Sequence, residues 1–131
     1  MASLAILPRP CAFDAAADLV ADGVAGAAVE IAAFAYCDRT GRVLGLRHAE
    51  SDCVDMAEIP VRRIAIDALA FDAAAVVMAH NHPSGEAWPS RADREVTRRI
   101  AVALGALGVR LHDHLIVTRS TRWSFRAAGL L

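Results

Sequence analysis

His80-Asn81-His82 and, further along, Ser90-Arg91-Ala92-Asp93 are the residues of this 131-residue chain best suited to chemistry. As a pattern they read H-x-H, seven residues, then S-x-x-D. Side chains on an extended strand alternate with a period of two, so His80 and His82 fall on the same side. Asp93 adds a carboxylate oxygen, which makes an N,N,O donor set. Three protein ligands leave the fourth position of a tetrahedral ion open to water, the arrangement that separates catalytic zinc from closed structural zinc. Pro83 cannot donate to a sheet ladder, so the strand should end there with both rings at its carboxyl end. The letters His-Asn-His also spell the name of a nuclease family, but the histidines of that family are separated in sequence.

Ser90 and Asp93 have an alternative explanation. Ser-x-x-Asp ahead of a helix is the form of a capping box, and an acidic side chain in the first turn complements the helix dipole. The two roles are compatible, because a helix N-terminus can hold a carboxylate rigidly toward a metal. A hydrolytic site also needs a base beside the open coordination position. Glu30, at the head of an apolar run, is one candidate, and Glu50 and Glu58 from an acidic loop are the others. An unpaired charge inside an apolar strand costs several kcal/mol, so Glu30 is either functional or exposed at a strand end.

Elements must position these groups. Phe13, Ala16, Leu19 and Val20 have helical spacing, which predicts a helix over residues 12–22 closed by Gly23. Val29–Cys37 reads as a strand, Asp38-Arg39-Thr40-Gly41 as a turn, and Arg42–Ala49 as a second strand of a hairpin. After the acidic Glu50–Glu58 stretch, Pro60 suits the first position of a helix with Val61, Ile64, Ala65, Ala68 and Leu69 on one face. Ala73–Ala79 is a buried strand delivering His80. Arg91–Leu107 is a helix with Val96, Ile100, Leu104 and Leu107 inward, ended by Gly108. Val109–Thr118 and Trp123–Phe125 complete the strands. Strands alternating with helices imply an α/β architecture with a sheet packed between helices.

Bulk properties narrow the classes. A chain of 131 residues that is 56% hydrophobic supports one globular domain with a real core. A net charge of −1 argues against a dedicated nucleic-acid binder, so direct nucleic-acid binding is not expected. Cys11, Cys37 and Cys53 are scattered and odd in number, which supports neither a disulfide framework nor a cysteine metal site. Met1–Leu7 is apolar but lacks a basic flank and is interrupted by Pro8 and Pro10, unlike a signal peptide. No run approaches a membrane span, and a reducing, cytoplasmic location is expected.

His80 through Asp93 resembles the JAMM (MPN+/JAB) metalloprotease motif in residue type and spacing. More narrowly, His80-Asn81-His82-Pro83-Ser84-Gly85, Pro89-Ser90-Arg91-Ala92-Asp93 and Leu107-Gly108-Val109 leading to Asp113-His114-Leu115-Ile116-Val117 are similar to the RadC-like JAB subfamily. The likeness runs from about Val29 to Phe125, which makes residues 1–28 an N-terminal segment with a short helix and 29–131 the domain. It implies a three-layer, cytidine-deaminase-like α/β/α fold with a mixed central sheet and a Zn2+ held by His80, His82 and Asp93. It further implies Glu30 as the catalytic base, from the similarity of Glu30–Asp38 to the family's upstream strand, and Ser90 as a stabiliser of the oxyanion. The activity implied is that of a zinc metallopeptidase or isopeptidase acting on a peptide or protein, including a ubiquitin-like tail.

Other classes remain in view. One is a nucleic-acid-associated or mobile-element accessory protein, to which exposed Arg91, Arg94 and Arg98 could contribute, although the helix-hairpin-helix region usual in RadC-like proteins has no counterpart ahead of the domain. Another is a non-catalytic MPN scaffold. A zinc deaminase is weaker, because no P-C-x-x-C follows the first histidine. Exposed hairpin edges would permit a homodimer. Trp88 in the loop after the histidines either shapes a groove or packs, and His48 is expected at the surface. By the same period-two rule His112 and His114 share a strand face, which allows a second metal site. The alternative is that Asp113 or His114 orients a ligand imidazole.

Overall fold

The computed structural model describes residues 12–49 and 59–131. The order is α1 (Asp14–Val24), β1 (Ala32–Cys37), β2 (Val43–Ala49), α2 (Val61–Ala70), β3 (Ala75–Asn81), α3 (Arg91–Ala106), β4 (Arg110–Val117) and β5 (Arg122–Ser124). The five strands form one mixed sheet in the order β2-β1-β3-β4-β5. β1 runs antiparallel to β2 and β3, β3 is parallel to β4, and β5 returns antiparallel on β4. The acidic stretch at residues 50–58, with Glu50, Cys53 and Glu58, and the N-terminal Cys11 lie outside the described residues.

Alternation along the central strands separates two cores. Phe34 and Tyr36 of β1 and Val76 and Met78 of β3 join Ile64 and Ala68 of α2 and Val96, Ile100 and Leu104 of α3 on one face. Ala33, Ala35, Ala75, Val77 and Ala79 meet Ala16, Val20, Ala21 and Val24 of α1 on the other. Large side chains therefore fill the gap to two helices, while alanines let the single helix α1 lie close to the sheet. The result is the expected α/β/α layering. Both central strands are buried along their whole length, which explains why they read as continuous apolar runs rather than as alternating ones.

Boundaries differ from the sequence expectation in ways that have causes. α1 continues through Gly23 to Val24, because Val24 is fully buried against the sheet and its packing outweighs the cost of a helical glycine of about 1 kcal/mol. Pro60 sits at the N-cap of α2 rather than inside its first turn. β1 begins at Ala32, so Glu30 precedes the strand instead of heading it. β3 extends to Asn81, so His80 lies within the ladder, and His82 N–H donates to Val117 O at 2.9 Å. α3 ends at Ala106, with the expected last residue Leu107 as an exposed C-cap and Gly108 at φ +74° after it.

The pairing of β3 with β4 contains a bulge that moves a side chain the site depends on. Val76 pairs with Leu111 and Val77 with Asp113, leaving His112 as an extra residue. Beyond a bulge, the side chains of the longer strand exchange faces relative to its partner. His112 therefore stacks on Phe13 beneath α1, ring centroids 4.0 Å apart, whereas His114 turns to the α3 side. The shared face expected for these two histidines is not present, and a joint metal site goes with it.

Candidate metal centre

His80 and His82 continue the Val76–Met78 series of β3 and so face α3, at whose N-terminus Asp93 is buried. His80 Nε2 and His82 Nε2 are 2.8 Å apart. Asp93 Oδ1 lies 3.3 Å from His80 Nε2, and Asp93 Oδ2 lies 3.2 Å from His82 Nε2. All three ligand atoms fall within 4.8 Å of one another, and no other group of this kind occurs among the described residues. Donors bound to a tetrahedral zinc at about 2.0–2.2 Å are separated by about 3.4 Å, so small outward movements would seat an ion.

The chemistry of the donors calls for a cation as well. His82 Nδ1 lies 2.6 Å from Glu86 O, and a carbonyl can only accept. The Nδ1–H is thus committed to Glu86, and the neutral ring turns a bare Nε2 toward His80 and Asp93. A lone pair and a carboxylate converging in a buried space repel unless a proton or a metal ion lies between them. The titration behaviour reflects this. The hydrogen bond with Asp93 raises the His82 pKa against the opposing effect of burial. Burial works to raise the Asp93 pKa, but the His80 and His82 imidazoles facing it and the Ser90 N–H outweigh that and hold it well below the usual carboxylate range. The residues present fit a resident zinc ion.

Asp93 is held as the capping-box reading anticipates. Ser90 Oγ accepts from Asp93 N–H at 3.0 Å, and Asp93 Oδ2 accepts from Ser90 N–H at 2.8 Å. The box contributes on the order of 1 kcal/mol and fixes the carboxylate toward the histidines. Ser90 spends only a lone pair in this cap. Its hydroxyl hydrogen stays available at an exposed position beside the trio.

Glu30 Oε1 is 4.0 Å from His82 Nε2, with the side chain 26% exposed at the edge of the cluster. Asn81 governs where Glu30 stands. Pointing to the opposite face from its histidine neighbours, Asn81 accepts from Ile31 N–H at 2.7 Å through Oδ1. Its Nδ2 donates to Val29 O at 2.9 Å and to Ala27 O at 3.2 Å. The middle letter of His-Asn-His thus ties the Ala27–Ile31 segment to the strand that carries the histidines. Sequence reasoning passed over Asn81, yet a polar residue at a buried strand position, where it must find partners, was a signal that could have found it. Thr97 and the Glu86 carbonyl were missed as well. A backbone acceptor leaves no trace in residue type.

The remaining candidates separate clearly. His114 is fully buried, with Nε2 2.6 Å from His80 Nδ1 and Nδ1 2.7 Å from Thr97 Oγ1. Burial, and then the proximity of His80, push its pKa well below the ordinary imidazole value. Asp113 instead accepts from Ser124 Oγ at 2.6 Å and from Arg126 N–H at 3.1 Å, fastening the C-terminal turn to β4. Arg91 pairs with Glu95 at 3.2 Å on an exposed face, and Arg94 and Arg98 are exposed. Trp88 is 71% exposed and packs into no core, and His48 is exposed.

A mixed sheet between helices, presenting two imidazoles and a carboxylate at the carboxyl end of a central strand, defines a JAB/MPN-type domain. The chain belongs to the RadC-like JAB domain family, which it matches over residues 11–130, a range that takes in α1. It is 42% identical over 96 residues to a UPF0758 protein of Ruegeria pomeroyi, covering 73% of this chain and 43% of that protein. Over 78 residues it is 49% identical to the UPF0758 protein YeeS of Escherichia coli, covering 60% of this chain and 53% of that one. Against a UPF0758 protein of Nitrosococcus oceani the identity is 41% over 102 residues, 78% of this chain and 46% of the relative. The chain spans about half the length of these relatives. No helix among the described residues is long and apolar enough to cross a membrane.

Proposed function

We propose that this domain is a zinc-dependent metallopeptidase or isopeptidase that cleaves an amide bond in a peptide or protein, a ubiquitin-like tail included. His80, His82 and Asp93 would hold the ion. Bound there, zinc supplies an acidified water and polarises a carbonyl oxygen. The observation that carries the reading is Glu30, a carboxylate outside the ligand trio whose Oε1 stands 4.0 Å from His82 Nε2.

Glu30 takes the proton from the attacking water as the new C–O bond forms. It then returns that proton to the departing nitrogen as the C–N bond breaks, so the carboxylate is regenerated with each turnover. Ser90 donates its unspent hydroxyl hydrogen to the oxygen that becomes negative in between. The Asn81 clamp keeps Glu30 at the rim, and the capping box keeps Asp93 turned inward.

Metal analysis together with hydrolysis of linear-peptide and isopeptide substrates tests this. Glu30→Gln should retain zinc at the wild-type level and lose about 10²–10⁴-fold in rate, the usual worth of a positioned base. Unchanged activity in that variant removes Glu30 from the mechanism. A wild-type protein that takes up no zinc removes the hydrolase reading altogether.

A further inference from the structure

Every hydrogen bond from Asp93 through Thr97 and His114 to His80 has a direction that chemistry dictates. Thr97 Oγ1 is 2.5 Å from Asp93 O. A carbonyl has no hydrogen to give, so the single hydroxyl hydrogen of Thr97 lies between these two oxygens. Thr97 Oγ1 then offers only a lone pair to His114 Nδ1, 2.7 Å away, and that nitrogen must carry the hydrogen. A buried neutral imidazole has one N–H, so His114 Nε2 is bare. At 2.6 Å from His80 Nδ1 it can only accept, which places the His80 hydrogen on Nδ1.

We infer that Thr97 and His114 are positioning residues that lock His80 in its Nδ1–H tautomer, so that Nε2 always presents a lone pair to the metal centre. The inference rests on the reading of His80 as a ligand. Without the chain, His80 could place its hydrogen on Nε2 and donate it to Asp93 Oδ1, 3.3 Å away, joining two ligands to each other instead of to an ion. The chain begins on the main-chain oxygen of the same Asp93 whose carboxylate is a ligand, so the N-terminal turn of α3 sets both donors. Phe125 stacks on the His114 ring at 4.7 Å and 3°, which restrains its plane.

The histidine-labelled chain, free of metal and at a pH where imidazoles are neutral, tests the assignment through long-range proton–nitrogen spectra. Protonated Nδ1 is expected on both His80 and His114, and a protonated Nε2 on His80 overturns the inference. Zinc competition with a chromophoric chelator gives a second readout. His114→Leu should weaken zinc about 10–100-fold. His114→Gln, which keeps an acceptor for His80 and a donor for Thr97, should restore most of that affinity, and Thr97→Val should lose less than His114→Leu in the same direction. Wild-type affinity in both His114→Leu and Thr97→Val overturns the proposal. If His114→Leu fails to fold, Thr97→Val and the spectrum of the unaltered protein decide. Wild-type protein that binds no zinc would instead sink the metal reading, an outcome separate from the tautomers of the metal-free protein.

Discussion

Three donors that converge without a cation set the behaviour of individual residues in this domain. In the metal-free protein the proton that Asp93 helps His82 to hold takes the place of the ion. The His82 pKa is raised above its ordinary 6.5, so its contribution to stability is full below that value and is lost as pH rises through the raised one. The Asp93 pKa is depressed, so its contribution is present above 3.8 and is lost as pH falls through the depressed one. Metal-free protein should therefore be steadiest in the mildly acidic window between those ordinary values. Zinc should add stability chiefly above it, by about 2.7 kcal/mol at a hundredfold excess over Kd. Melting temperatures across pH 4–9 with and without zinc measure this, and a zinc-induced rise that is the same at acid and neutral pH would contradict the site.

Elements act on the site through the face each residue occupies. The period of two sends His80 and His82 toward α3 and sends Asn81 the other way, so one strand end grips the ligand helix and the Glu30 segment at the same time. Asn81→Ala should cost about 2–4 kcal/mol, because it leaves the Ile31 N–H and two carbonyls without their partner. Under the proposed function it should also depress hydrolysis more than zinc content, since Glu30 rather than the trio His80, His82 and Asp93 loses its anchor. Denaturant titration and metal analysis of the variant check both halves. Close packing constrains β2 in a similar way. The Phe71 ring occupies the space a Cβ on Gly45 would need, so the ring lies against the edge strand where that strand has no side chain.

At the scale of the whole molecule, two buried acids set a limit on alkaline stability. Burial, with a smaller push from Asp38, raises the Cys37 thiol from 9.0 to about 11. Tyr36, beside it on β1, is also raised, by burial first and then by the charge of Asp67. The unfolded chain loses these protons before the folded one does. The stability they protect is intact below pH 9.0 and declines as pH climbs toward 11, with Cys37 accounting for about 2–3 kcal/mol. Urea unfolding at successive pH values, compared with Cys37→Ala, isolates that share. Parallel declines in the two proteins would show that the thiol is not its source.

The sequence by itself determined the order of strands and helices, the shared face of His80 and His82 and the cap that holds Asp93, because those rest on local rules. Period-two alternation, apolar runs, a capping box and a terminal glycine all act within a few residues. Tertiary structure decided what depends on pairings between distant segments. The bulge opposite Val76 and Val77 turned His114 toward His80 and sent His112 to Phe13, reversing what alternation along one strand predicts. Asn81 found its partners some fifty positions earlier in the chain, and Thr97 met His114 across the gap between helix and sheet. A hydrogen bond between remote residues is fixed by register and packing. Neither is encoded in the spacing of the residues that make it.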